Sequence, residues 1–200
     1  MLPNKESLQN TCKSLAVLDA ILSQDWEYRY YSYNKNWSEN EECFTMRNGE
    51  GDELLILFKN HQCIINGFLS EEGCMDKSKL KEDVPAIFQS FIFGEPIITI
   101  GTTFCIWSDE NGNWNPEDVE GLSQKYADFM NMYTTDPRVY LYWAIDYYET
   151  DTLNYDALNV VFNEKELNTK DVLNINEELE DWDQLKEDLD EIGYSYNFEA

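Results

Sequence analysis

Between Lys5 and Leu22 the apolar residues Leu8, Cys12, Leu15, Leu18 and Leu22 recur three or four positions apart, the spacing that brings side chains onto one face of a helix. A short amphipathic helix is therefore expected behind Pro3. From Trp26 the period falls to two, with Trp26, Tyr28 and Tyr30 alternating with Glu27, Arg29 and Tyr31. Aromatic residues suit a pleated, half-buried surface, so this stretch predicts a strand. A second strand is expected over about 42–47. The turn Asn48-Gly49-Glu50-Gly51 supplies residues tolerant of positive φ, and Leu54-Leu55-Ile56-Leu57-Phe58 then runs as a continuous apolar strand central to a sheet. Asn60-His61 makes a tight connection to Cys63-Ile64-Ile65-Asn66-Gly67-Phe68, which completes an antiparallel meander.

Residues 70–83 read as a charged connector, and Val84-Pro85 opens a short helix containing Ile87, Phe88, Phe91 and Ile92; proline is tolerated at a helix start, where its missing N–H would be unpaired in any case. A strand over 102–107 ends at Asp109-Glu110-Asn111-Gly112-Asn113, whose Asn-Gly pair signals a hairpin. From Leu122 the period is helical, with helices expected near 122–132, 137–149, 155–163 and 177–192, the second capped by Asp136 with Pro137 as its first residue. An N-terminal helix, an antiparallel sheet of about five strands and a C-terminal cluster of helices make an α+β fold. We read a single domain over 1–200, with a sheet-rich half (1–120) and a helical, acidic half (121–200).

Charge changes this picture more than any motif. The 200 residues carry 40 Asp and Glu against 14 Lys and Arg, a net charge of -26, yet 14% are aromatic. That much apolar surface excludes an acidic disordered tail. The surplus is uneven along the chain, -7 over residues 1–108 and -19 over 109–200. Such a field repels nucleic acid and anionic membranes and attracts basic partners. The five cysteines, with no CxxC spacing and an odd count, fit neither a disulfide framework nor a zinc cluster. With no apolar leader or membrane-length apolar run, they indicate a cytoplasmic setting.

The last expected helix is the sharpest element. Ile175, Leu179, Trp182, Leu185, Leu189 and Ile192 form an apolar stripe, and the other positions hold Glu177, Glu178, Glu180, Asp181, Asp183, Glu187, Asp188, Asp190 and Glu191 against Lys186 alone. Glu178, Asp181, Trp182, Asp183, Glu187, Asp188 and Glu191 are the candidate partner-binding residues. As a metal candidate, Asp109, Asn111, Asn113 and Glu120 match calcium-loop positions, but Trp114 stands where the loop needs glycine and Pro116 interrupts it; a plain turn fits better. Catalytic machinery is sparse: His61 is the one histidine, and no GxSxG, HExxH, GxxxxGK or GxGxxG pattern occurs. No cofactor is expected. Arg29 among Trp26, Tyr28, Tyr30, Tyr31 and Tyr33 has the composition of a base-stacking platform, which the net charge opposes.

The run Cys43 to Glu53, with Thr103-Phe104-Cys105-Ile106-Trp107 and Glu191-Ile192-Gly193-Tyr194, resembles an uncharacterised family of bacterial cytoplasmic proteins over most of the chain, a resemblance that implies no activity. In general style, small, acidic and rich in Trp and Tyr, the chain is also similar to the immunity proteins that neutralise bacterial toxins. The expectation is a non-enzymatic module that binds a basic protein. The alternative is a carboxylate-dependent or metal-assisted enzyme of unknown substrate.

Overall fold

The computed structural model describes residues 2–115, 130–133, 136–150 and 153–198. The architecture is α+β. Its contacts divide the chain into two compact units, one within Met1–Lys35 and Leu122–Ala200, the other within Asn36–Gly121.

Six strands form one sheet in sequence order, β1 (Tyr31–Ser38), whose residues 31–35 belong to the first unit, and then β2 (Glu41–Arg47), β3 (Glu53–Lys59), β4 (Gln62–Phe68), β5 (Phe104–Ser108) and β6 (Trp114–Asn115), on which the second unit is built. As its unbroken apolar sequence requires, β3 lies inside the sheet, antiparallel to β2 and β4, with Ile56 opposite both Phe44 and Ile65. Between β2 and β3, Asn48 Oδ1 accepts the backbone N–H groups of Glu50 and Asp52, and Gly49 and Gly51 take positive φ. One sheet face, with Leu55, Leu57, Ile64 and Trp107, packs on Phe88, Phe91, Ile92 and Ile97. Phe91 and Ile92 belong to the short helix α2 (Gln89–Ile92) and Ile97 to α3 (Ile97–Ile100).

Gly67 pairs with Phe104 across β4 and β5. A Cβ there would lie 2.1 Å from Cζ of Phe104, a ring that is itself buried. Gly67→Ala is therefore expected to destabilise this unit by about 2 kcal/mol, the scale of an overpacked core. In a urea titration, Gly67→Ala/Phe104→Leu should recover part of the loss.

The first expected strand is corrected. Residues Trp26–Tyr28 form a 3₁₀ turn, because Asp25 caps it by accepting the Glu27 N–H, and Trp26 and Tyr28 are 52% and 66% exposed instead of half-buried in a sheet. The strand begins later, at Tyr31.

The other unit is helical. In α1 (Lys5–Leu22), Asn4 accepts the Ser7 N–H at the N-terminus, and nearly every residue from Leu8 to Ile21 is buried. An amphipathic helix was expected; α1 is enclosed on most sides, as a helix central to a bundle must be, because it packs against α5 (Tyr155–Phe162), α6 (Thr169–Ile175) and α7 (Trp182–Ile192). Preceding these three helices in sequence is α4 (Pro137–Tyr147), capped by Asp136 as its sequence predicts. The expected helix over 122–132 falls largely on residues outside those described.

The expected helix over 177–192 is shorter than its periodicity suggests. It starts at Trp182 because Asp181 Oδ1 accepts the Gln184 N–H as an N-cap. The residues before it are held by side chains: Asn176 Oδ1 accepts from Glu178, and Gln24 Oε1 accepts from both Glu180 and Asp181. Ile175 belongs to the separate helix α6, whose capping box joins Asn168 and Asp171. Two short parallel strands, β7 (Leu167–Asn168) and β8 (Tyr196–Asn197), complete this unit.

Candidate functional site

The acidic stretch divides into an outward and an inward part. Glu177, Glu178, Glu180, Asp181, Asp183, Glu187, Asp190 and Glu191 are exposed. Lys186, the one cation among them, lies 2.9 Å from Asp183 and is already paired. Asp188 is different: it is buried and accepts from Arg29 at 2.6 Å and from Gln184 at 3.2 Å. The helical period that places Leu185, Leu189 and Ile192 inward turns Asp188 in with them, so it is an internal ion-pair partner and leaves the candidate surface. Trp182 is half-buried against Phe198, ring centroids 5.1 Å apart, and Glu191 accepts from Asn34.

Arg29 thereby leaves the base-stacking reading as well. Its guanidinium donates to the carbonyls of Ser23 and Gln24 and to Asp188, while Tyr31 and Tyr33 are buried. What remains outside is the turn Trp26–Tyr28. Two links fasten it to the acidic segment, Gln24 to residues 180 and 181 before it and Arg29 to Asp188 after it. Two exposed aromatic rings and a row of carboxylates are therefore held side by side.

The charge imbalance read along the chain takes another form in three dimensions. Residues 36–121 hold 17 acidic and 5 basic side chains, net -12. Residues 1–35, which are neutral in sum, join 122–200 in a unit of net -14. Both units are acidic, and the segment 177–191 is distinguished by the local density of its carboxylates.

Buried within the helical unit lies a carboxylate, Asp19, that no motif marks. Asp19 Oδ2 accepts the N–H groups of Tyr30 (2.9 Å) and Tyr31 (2.7 Å), and Oδ1 accepts the Tyr140 hydroxyl (2.8 Å). Burial raises its pKa to about 7, against the lowering effect of these donors and of the neighbouring Tyr148. Around it Tyr30, Trp143 and Tyr147 pack at centroid distances of 4.8–5.2 Å. The group is fully enclosed, so its chemistry is that of an anchor joining α1, β1 and α4. Its sequence signal is a single carboxylate inside the apolar run Leu15 to Leu22.

The remaining candidates have local roles. Both oxygens of Asp109 accept hydrogen bonds from Asn111 and Asn113, which shapes the hairpin and holds its pKa below the ordinary carboxylate value. Glu120 lies outside the described residues. Among those described, no three His, Cys, Asp or Glu side chains are grouped to hold a metal ion. None of the five cysteines forms a disulfide, and burial pushes the thiols of Cys43 and Cys105 up to about 12, where the reactive thiolate is scarce. His61 is exposed in the turn between β3 and β4. No helix among the described residues is long and apolar enough to cross a membrane. Neither a protein-family model, nor a curated protein, nor a solved structure matches this chain.

Proposed function

We propose that this protein is a cytoplasmic, non-catalytic module that binds a basic protein and covers its surface, as immunity proteins do with toxins. The observation that carries the reading is the composite face of the helical unit: eight exposed carboxylates between residues 177 and 191, their one lysine already paired, beside the exposed rings of Trp26 and Tyr28. A dense field of one sign accelerates encounter with a partner of the opposite sign. Exposed Trp and Tyr supply the anchors that hold a complex once formed, and their ring faces attract Lys and Arg. Surfaces that bind phosphates are basic, so the active site of a nuclease is the kind of surface such a face fits. The same field disfavours nucleic acid itself.

The test is kinetic. A basic protein recovered with the tagged chain from its host at low ionic strength should associate at a rate that falls steeply with added salt. Asp183→Asn/Glu187→Gln/Asp190→Asn should slow association about tenfold with little change in dissociation, and Trp26→Ala/Tyr28→Ala should mainly speed dissociation. An association rate indifferent to salt and to the triple substitution would sink the proposal.

A further inference from the structure

The helical unit also contains a solvent-open cleft of about 860 Å3. Four helix ends border it, and three of them are C-termini: Leu22 closes α1, Tyr148 and Glu149 follow α4, and Ile175 closes α6 with Glu177 and Glu178 behind it. Each such end carries the equivalent of about half a negative charge on its last carbonyls, which basic side chains in the last turn commonly offset. None of these three helices has a basic residue in its own last turn, although behind α1 Arg29 already donates to the Ser23 carbonyl and Asn176 to that of Ile21. The chain adds three carboxylates instead. Glu149 even adopts φ +49, a left-handed conformation usually taken after a helix by glycine or asparagine. One opposing dipole borders the cleft, the N-terminus of α5, and Asn154 already caps it by accepting the Ala157 N–H.

No Lys, Arg or His lines the cleft among the described residues. At the ends of α4 and α6 the described lining therefore supplies no counter-charge, and the cation that fits there comes from outside. The volume lies within the ~300–1,000 Å3 range of clefts that hold organic groups, well beyond a bare metal ion. Leu22, Leu173 and Ile175 give part of the wall an apolar surface suited to the methylene stem of a long basic side chain.

We infer that this cleft receives a lysine- or arginine-bearing segment of the basic protein partner, its cationic head held by the C-termini of α4 and α6 with Glu149, Glu177 and Glu178. The inference rests on the reading of the partner as a basic protein and adds the place where its basic side chain is seated.

A short arginine-containing peptide, its citrulline counterpart and spermidine serve as probes, followed by amide chemical shifts of the full chain. The arginine peptide is expected to bind saturably at one site and shift residues 148–150 and 173–178, with citrulline weakening it about tenfold. Glu149→Gln/Glu177→Gln/Glu178→Gln should weaken the peptide about tenfold, whereas Asp183→Asn/Glu187→Gln/Asp190→Asn, which removes the same charge, should change it less than about twofold. Equal weakening by both triples, or shifts confined to α7, would overturn the inference in favour of a diffuse field. Spermidine binding the cleft more tightly than the peptide would overturn it in favour of a free polyamine. If the native partner binds the cleft triple as well as wild type while keeping its salt dependence, the cleft assignment falls and the proposed function stands. Loss of salt dependence with the peptide still seated would separate the opposite case.

Discussion

Asp19→Ala is expected to destabilise the helical unit by roughly 4 kcal/mol, because it removes the acceptor for three donors at once, the Tyr30 and Tyr31 amides and the Tyr140 hydroxyl. Each buried donor left unsatisfied costs about 1–3 kcal/mol, and whole domains are stable by only about 5–15 kcal/mol. Asp19→Asn behaves differently. Its amide oxygen can take the two backbone N–H groups while its Nδ2 donates to the Tyr140 oxygen, so it mimics the protonated acid. The pH response separates the two carboxyl states. The folded pKa of about 7 stands above an ordinary aspartate value near 3.8, so between them the folded chain holds a proton that the unfolded chain has released. Stability from this group is complete below about pH 4, falls as pH rises to about 7 and is level beyond, a span on the order of 4 kcal/mol. Urea midpoints from pH 4 to 8 should therefore decline more steeply in the wild type than in Asp19→Asn, with the variant the more stable of the two at pH 8. Parallel curves would rule out a titrating Asp19.

Arg29→Ala is the second large expected loss, about 3–5 kcal/mol. The pair Arg29–Asp188 is closed off from solvent, its side chains 6% and 11% exposed, and removing one partner strands the other charge. Asp188 would keep only Gln184, and the carbonyls of Ser23 and Gln24 would lose their donor. An Arg29→Met/Asp188→Leu double variant should lie closer to the wild type than Arg29→Ala in chemical denaturation, since apolar replacement of a buried pair is often nearly neutral. If the double variant were as unstable as the sum of its singles, the main contribution of Arg29 would be its bonds to the two carbonyls.

The meander was legible because its signals are local: Asn48-Gly49, Asn60 and Asn111-Gly112 mark the turns, and the apolar run of β3 identifies an interior strand. Asp136-Pro137 marked the start of α4 for the same reason. The boundaries at residues 26 and 182 were not legible, since each depends on a carboxylate choosing a cap. Asp25 and Asp181 make those choices where the apolar period runs on uninterrupted. The long acidic segment was visible, but the inward turn of Asp188 depends on Arg29, 159 positions away. The cleft was hidden for a similar reason: three helix ends far apart in sequence meet there, and no spacing rule encodes that meeting.

The helical unit draws on both ends of the chain, with residues 36–121 inserted between its parts. During synthesis α1 leaves the ribosome first, while α5, α6 and α7, which enclose it, follow more than a hundred residues later. At about 5–20 residues per second that interval is on the order of ten seconds, a period in which the residues buried along Leu8–Ile21 lack their native cover. The inserted meander, made of near neighbours in sequence, is free to form in the meantime. Delayed burial in this design therefore falls on α1, whose partners are encoded more than a hundred residues after it.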